Sequence, residues 1–314
     1  MDTLARIERR HKLRDLRVIA TVARLGSMGK AAAALNTSQP AISRSIAELE
    51  HTLGVRLLER DRRGVRLTEY GFAMLNCGIA MLDALREGIK SIEFIAEPNV
   101  GDIRIGSSSP MTAHLLPAVF DGLSQKHSGI SFHVTEMATV AQQYRELRER
   151  SIDLLVGRIA PSPDSDIETE VLFHDRTYVV ASARSRWSRR RKVKLSELVN
   201  ERWGLPPIDS IVGATVAQAF HRFGVSFPPR GAVTGSIQLV SSLAENGRAL
   251  AILPGSVLHF AERHRGLRPV DLDFQMPPWP VGIMTLKKRS LSPVVRVFVE
   301  QLRKFTAPLS KSLL

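Results

Sequence analysis

Cysteine is nearly absent: Cys77 is the single one in 314 residues. One thiol excludes an internal disulfide, and it fits a reducing cytoplasm. The nine histidines are scattered, so no metal-ligand spacing forms around them. Long apolar runs are missing as well; none approaches the roughly 18–20 residues of a membrane span. The first residues are charged at Arg6, Glu8, Arg9 and Arg10, unlike a secretory leader. There is no Gly-x-Ser-x-Gly elbow, no Gly-rich lysine loop for phosphates and no His-Glu-x-x-His. These absences argue against an enzyme and predict a cytoplasmic chain without cofactor, metal or membrane association. A small-molecule enzyme carrying an accessory helix-turn-helix is the alternative class.

Positive charge is what the chain has in excess. Its 44 Lys+Arg against 31 Asp+Glu give a net +13, a balance that favours polyanionic partners. Residues 1–71 hold 14 Lys+Arg against 8 Asp+Glu, a net +6, and the remaining residues hold +7. At this length the chain can build two or three domains with cores of their own.

The densest motif lies between His11 and Gly71. Ser27 to Leu35 reads as a short Ala-rich helix. Asn36 to Gln39 makes a polar break, and a second helix starts with Pro40 in its first turn, where a missing N–H does no harm. Thr37 or Ser38 can cap it. Ile42, Ile46, Leu49 and Leu53 recur at three- and four-residue spacing and form its buried stripe. Ser38, Gln39, Ser43 and Arg44 fall off that stripe, near the N-terminal end. Two helices joined this tightly form a helix-turn-helix, whose second helix enters the major groove of double-stranded DNA. There Gln pairs with adenine, Arg with guanine, and Ser with a base edge or a phosphate. An ordinary amphipathic helical hairpin is the plainer reading of the same residues.

The flanks narrow the choice. Leu13 to Ala23 is a preceding amphipathic helix. After Gly54, two β-prone segments surround Asp61-Arg62-Arg63-Gly64, which reads as a hairpin wing; Arg62 and Arg63 at its tip suit a phosphate backbone or a minor groove. With Ala31-Ala32, Leu35, Ser38-Gln39-Pro40-Ala41-Ile42-Ser43, Ile46, Leu49-Glu50, Leu53-Gly54, Leu57-Leu58, Arg60, Leu67-Thr68 and Gly71, the stretch resembles the winged helix-turn-helix of LysR-type transcriptional regulators.

A long helix is predicted from about Thr68 to Ile95, capped by Thr68 and stopped by Pro98. Met74, Leu75, Leu82, Leu85, Ile89 and Ile92 give it an apolar stripe that needs covering. It could pack on its own DNA-binding domain; the resemblance implies an antiparallel helix joining two chains of a homodimer or homotetramer, so that two half-sites are read together.

From Gly101 strands alternate with helices, which predicts a parallel sheet with crossover helices. Ligands of such sheets bind at the carboxyl ends of strands, near helix N-termini. That rule gathers Ser107, Ser108, Ser109, Thr139 and Arg158 at one edge, with Ser236 capping the helix of Ile237 to Asn246. Helix N-termini and hydroxyls favour an anionic or hydroxyl-rich ligand, and Arg158 adds a cation unless it is a rim salt bridge. Pro161 to Asp166 and Val270 to Pro280 read as two crossovers between α/β halves.

The resemblance extends through this region at Met137-Ala138-Thr139, Ile152-Asp153, Gly157-Arg158, Leu253-Pro254 and Leu291-Ser292-Pro293. It implies an N-terminal winged helix-turn-helix (all-α with a β wing), a long linker helix and an α/β bilobed, periplasmic-binding-protein-like effector domain. The expected limits are 12–71, 72–97 and 98–314, with lobe I at 101–163 and 271–314 and lobe II at 164–270. The implied protein is a transcriptional activator answering to a small-molecule inducer in the cleft, with RNA polymerase as a further partner; a repressor of the same fold is the alternative. The effector domain resembles the subgroup regulating aromatic-acid catabolism (the protocatechuate pathway) or sugar-binding-protein expression, so the inducer is an aromatic acid or a sugar. One segment departs from the family: where many members carry a His-Pro-Leu-Ala-like turn, this chain has Arg184 to Lys192, a basic run whose ordinary reading is a solvated loop.

Overall fold

The computed structural model describes residues 7, 11–61, 64–226, 228, 231–260, 266–274 and 276–309. Its contacts divide it into two units, residues 1–89 and 90–314.

The first unit contains α1 (Leu13–Leu25), α2 (Met28–Ala34), α3 (Gln39–Leu53), the hairpin β1 (Leu58–Asp61) and β2 (Gly64–Leu67), and most of α4 (Glu69–Ala96). Ala31 and Ala32 are buried with Val18, Val22, Met28, Ile42 and Ile46 in one cluster; side chains this small let α2 lie close against its neighbours. Ser38 caps α3, accepting from the Ala41 N–H at 3.4 Å. Gly54 ends it at φ 73°, a left-handed residue that glycine adopts without penalty. Glu50, on the last turn, bends back so that one carboxylate oxygen accepts from the Leu57 and Leu58 N–H groups at 2.7 and 3.1 Å. The recognition helix and the wing are therefore tied by one side chain. Gly71 has no alternative: a Cβ there would lie 2.1 Å from the Leu57 carbonyl oxygen.

Thr68 caps α4 through the Gly71 N–H at 3.0 Å. Along this 28-residue helix Met74, Leu75 and Leu82 are half-buried, whereas Leu85, Ile89, Ile92 and Ile95 stand exposed. Asp83 and Glu87 are instead buried, an inversion that hydropathy alone does not anticipate.

The second unit holds two five-stranded sheets. The first comprises β3 (Val100–Ser107), β4 (Gly129–Glu136), β5 (Leu154–Arg158), β6 (Ile167–Asp175) and β12 (Trp279–Leu286), in the order β4-β3-β5-β12-β6. The second comprises β7 (Thr177–Ser182), β8 (Trp203–Leu205), β9 (Gly231–Val233), β10 (Leu250–Pro254) and β11 (Leu267–Pro269), in the order β9-β8-β10-β7-β11. In each, three parallel strands are followed by two antiparallel ones. The sheets are mixed rather than purely parallel: β12 in the first and β7 in the second, each entered as the chain passes between sheets, run against the other strands of their sheet. Around the first sheet pack α5 (Leu116–Ser124), entered through a π-helical turn at Met111–Leu115, α6 (Val140–Arg148) and α10 (Pro293–Thr306). Around the second pack α7 (Ile211–Arg222), α8 (Ile237–Glu245) and α9 (Gly255–Phe260).

The expected lobe limits need correcting. The run Val171 to Ala183 is two strands, β6 in the first sheet and β7 in the second, so the chain crosses at Arg176 and not between Pro161 and Asp166. Residues 164–175 thus belong with the first sheet. Leu272, Phe274 and Met276 pack in the core of the second, so the return crossing follows them. The first crossing lies within β-prone sequence, with no glycine or proline to mark it, whereas Pro277 and Pro278 mark the return. Strand β8 and helix α7 went unread from sequence.

Candidate nucleic-acid interface and effector cavity

On α3 the buried face is Ile42, Ile46 and Leu49, with Leu53 half-buried. Ser38, Gln39, Pro40 and Arg44 are exposed on the N-terminal half, and Ser43 is half-buried between them. The helix is held from behind, where Ser45 donates to Asp15 of α1 at 2.7 Å, and Gln39, Pro40 and Arg44 face outward. Arg62 and Arg63 lie outside the described residues. Two further cations went unnoticed in the sequence: Arg14, whose guanidinium meets the Thr37 hydroxyl at 3.4 Å in the turn before α3, and exposed Lys30 at the start of α2. Only the folded hairpin brings Arg14 to the α3 end.

In the second unit a cavity of about 290 Å³ lies where the two sheets meet. The carboxyl ends of all six parallel strands reach it: Ser108 and Ser109 after β3, Met137 to Thr139 after β4, Arg158 ending β5, Pro206 and Pro207 after β8, Thr234 and Gly235 after β9, and Pro254 ending β10. This is where the α/β rule expects a ligand. Thr139 caps α6 through the Gln142 N–H at 3.3 Å, and Ser210 caps α7 through Gly213 at 3.0 Å. Ser109 spans the cleft, its hydroxyl accepting from the Ile237 N–H at 3.5 Å. Apolar Met111, Met137, Val240 and Ile252 make up much of the remaining wall.

Arg158 is the exceptional group. It is 8% exposed. Nη2 donates to the Thr177 hydroxyl at 3.1 Å, while Nη1 is buried without a hydrogen-bond partner. Burial pulls its pKa down, and the attraction of Asp175 opposes that pull. Burial likewise pushes the Asp175 carboxyl up, against hydrogen bonds from Ser256 and the attraction of Arg158. Asp175 is occupied by the Ser256 N–H and hydroxyl at 3.0 and 2.6 Å. The arginine is therefore no rim salt bridge.

Two expected residues do not reach the cavity. Ser107 is buried, and its hydroxyl donates to the Val156 carbonyl at 2.7 Å, fastening β3 to β5. Successive strand residues point to opposite faces, so Ser107 and Ser108 cannot serve the same side. Ser236 is half-buried and accepts from the Leu239 N–H at 3.3 Å as the cap of α8; its neighbours Gly235 and Ile237 line the wall instead. Missed in the sequence were Glu136, which accepts from Thr112 at 2.7 Å, and Gln143, Asp209 and Ser210.

Residues 13–72 match the family "Bacterial regulatory helix-turn-helix protein, lysR family", and residues 96–307 match "LysR substrate binding domain". Among curated relatives, the HTH-type transcriptional regulator TfdS of Cupriavidus pinatubonensis is 29% identical over 296 residues, 93% of this chain and 98% of that protein. PcaQ of Agrobacterium fabrum, also an HTH-type transcriptional regulator, is 29% identical over 249 residues, 78% of this chain and 72% of the relative. Among solved structures, ArgP from Mycobacterium tuberculosis superposes with a TM-score of 0.69 at 20% identity, covering 93% of this chain and 96% of that one. Full-length CbnR in complex with its target DNA superposes at 0.52 with 25% identity, covering 94% and 100%. The curated relatives TfdS and PcaQ are transcriptional regulators, not enzymes, and among the described residues no helix is long and apolar enough to cross a membrane. The chain belongs to the LysR family of DNA-binding transcriptional regulators, with a helix-turn-helix at its N-terminus and a substrate-binding domain after it.

Proposed function

We propose that this regulator is an inducer-responsive activator whose cleft takes a small carboxylate. The single observation that carries the ligand class is the buried, unpaired Nη1 of Arg158 in the cavity wall. A buried donor left unmade costs about 1–3 kcal/mol or more for a charged group, and a carboxylate meets a guanidinium with short charge-assisted hydrogen bonds. An aromatic acid satisfies both this cation and the apolar wall; a neutral sugar leaves the cation unanswered. Ser108, Ser109, Thr139 and Arg158 are the effector-binding residues in this reading. Ser38, Gln39, Pro40, Ser43 and Arg44 read or position the operator, with Arg62 and Arg63 on the phosphate backbone.

The organisation that goes with this is a DNA-binding domain at 12–71, a linker helix at 72–97 and an effector domain at 98–314. The exposed apolar residues of α4, Leu85 and Ile89 foremost, favour a helix seam between two chains in a homodimer or homotetramer. The protein acts where its DNA is, in the cytoplasm, and activation makes RNA polymerase a partner; the sign rests on the family resemblance. Footprinting upstream of its own gene and of the divergent neighbour, with and without aromatic carboxylates, tests the whole reading. A footprint that no carboxylate alters, and that a sugar does, overturns the ligand class. Repression in a purified transcription assay overturns the sign.

A further inference from the structure

The +7 carried beyond residue 71 is not shared between the halves of the effector unit. Residues 177–277, which build the second sheet and its helices, hold 14 Lys+Arg against 7 Asp+Glu, whereas 72–176 and 278–314 together hold 16 against 16. All of the excess therefore sits in one half. The topology then concentrates part of it at one end of the second sheet. Strand β7 ends at Ser182, paired with Leu267 of β11; β10 begins at Leu250, paired with Trp203 of β8. Arg202 directly precedes β8, Arg248 stands two residues before β10, and Arg184 two residues after β7. This is the end away from the effector cavity, which takes the opposite ends of β8 and β10.

Arg202, Arg248 and Trp187 line an open groove of about 440 Å³, and Arg184 directly precedes its lining residue Ser185 in the chain. Arg186 stacks over the indole at 4.5 Å and pairs with Glu201 of the groove at 2.8 Å; Arg190 stacks at 5.3 Å and pairs with Glu197 at 2.8 Å. Those two arginines brace the basic turn. Arg184, Arg202 and Arg248 are exposed, and none of them has a carboxylate partner among the described residues. The turn that departs from the family is thus a braced loop beside a cationic groove.

We propose that this groove binds the phosphate backbone of double-stranded DNA, a contact separate from the helix-turn-helix. An exposed arginine gains little from a single small anion, because water and salt screen it. A polyanion is different: every phosphate neutralised releases condensed counterions, so weak contacts add up. The effector unit is tethered to the DNA-reading unit by one continuous helix, α4, so a duplex held by the head stands at high effective concentration for the groove. An acidic protein surface is the competing occupant.

The full-length protein tests this by fluorescence anisotropy on a random-sequence duplex between 50 and 200 mM salt. Each lost phosphate contact removes about 0.9 from the slope of log affinity against log salt. The variant Arg184→Gln/Arg202→Gln/Arg248→Gln is expected to lower that slope by about 2–3 and to weaken binding about tenfold or more at the low-salt end. The charge-keeping variant Arg202→Lys/Arg248→Lys is expected to hold the wild-type slope, and so is Lys287→Gln/Lys288→Gln, which removes two exposed cations on the first sheet's side. If the triple variant keeps slope and affinity, the groove does not touch DNA. An equal loss from the lysine pair makes the effect one of net charge, and loss of an acidic polypeptide with DNA binding intact assigns the groove to a protein; either result overturns the proposal. Should the triple variant fail to fold, Arg202→Gln and Arg248→Gln singly are each expected to lower the slope by about 1, and unchanged slopes in both overturn it equally.

Discussion

The ends of the two sheets that face away from the cleft are equivalent in topology and opposite in chemistry. In the first sheet Asp153 stands immediately before β5. It is buried, and its carboxylate gathers Arg104 from β3, Arg289 from the turn after β12, at 3.1 Å, and Lys90 from α4 at 3.2 Å. In the second sheet the place before β10 is held by Ala249, which lines a groove with Arg202 and Arg248, and the groove's carboxylate, Glu201, pairs with Arg186. Both β5 and β10 open on a continuous apolar run rather than an alternating one, and both are buried throughout. One topology therefore tolerates either a closed ion cluster or an open cationic groove at its rim. The difference teaches that the core dictates where strand ends fall, while the polar residues just beyond them are free to be spent on stability in one half and on binding in the other.

Removing the hub is the most severe way to break the comparison. Asp153→Ala removes the buried carboxylate shared by Arg104, Lys90 and Arg289, whose side chain is 1% exposed, and breaking a buried ion pair costs about 3–5 kcal/mol. Urea unfolding measures it. Burial alone would raise the Asp153 carboxyl, but the hydrogen bonds and charge of Arg104, helped by Lys90, hold it below the usual carboxylate range. The stabilisation is thus fully present above the unfolded-chain value of about 3.9 and is lost as pH falls through the lower native value. The stability gap between wild type and variant is expected to close over that acidic interval. A gap that persists unchanged at lower pH contradicts the ionic account.

The cleft ends of the sheets differ as well: among the described residues, Arg158 of the first sheet is the one cation that lines the cavity. Arg158→Gln is expected to weaken binding of a carboxylate inducer by about 1.5–3 kcal/mol, the worth of a hydrogen bond to a charged group. Isothermal calorimetry reads it, and undiminished affinity removes Arg158 from the site. Smaller effects separate two helix caps. Thr139→Ala and Ser236→Ala should each cost about 1 kcal/mol of stability, as lost caps do. Thr139 lines the cavity and Ser236 does not, so only the first is expected to lower inducer affinity as well. Equal losses of affinity from both would erase the distinction.

How much of this was legible in sequence follows from how local each signal is. The recognition helix was readable residue by residue, because cap, proline, stripe and glycine terminus all lie within one segment, Ser38 to Gly54. The cleft was readable in outline, since strand–helix alternation places ligands at strand ends. Its members were not all readable: Ser107, Ser108 and Ser109 are alike in sequence, and only the register of β3 against β5 turns the first inward. The β6–β7 crossing was hidden because Arg176 interrupts a continuous β-prone run without a glycine or proline. The Asp153 hub draws its cations from 63 residues before and 136 after in the chain, a separation at which spacing carries no information.

The mildest change sharpens the opening contrast most. Ala249→Asp places a carboxylate before β10 in the position that Asp153 holds before β5, between Arg202 and Arg248 at the groove wall. Ala249 is half-buried at an open rim, so the new ion pairs stay solvated and should add no more than about 0.5–1 kcal/mol of stability. Binding should register it more clearly. A carboxylate answering two arginines competes with phosphates for them, and the salt slope of duplex binding should fall by about 1–2. Thermal unfolding and anisotropy on the same variant separate the outcomes. A small stability gain with a reduced slope means the open rim is kept open for DNA at a slight expense in stability. A loss of several kcal/mol would mean that the second sheet's rim cannot accept a carboxylate, and packing rather than function would then explain why the two ends differ.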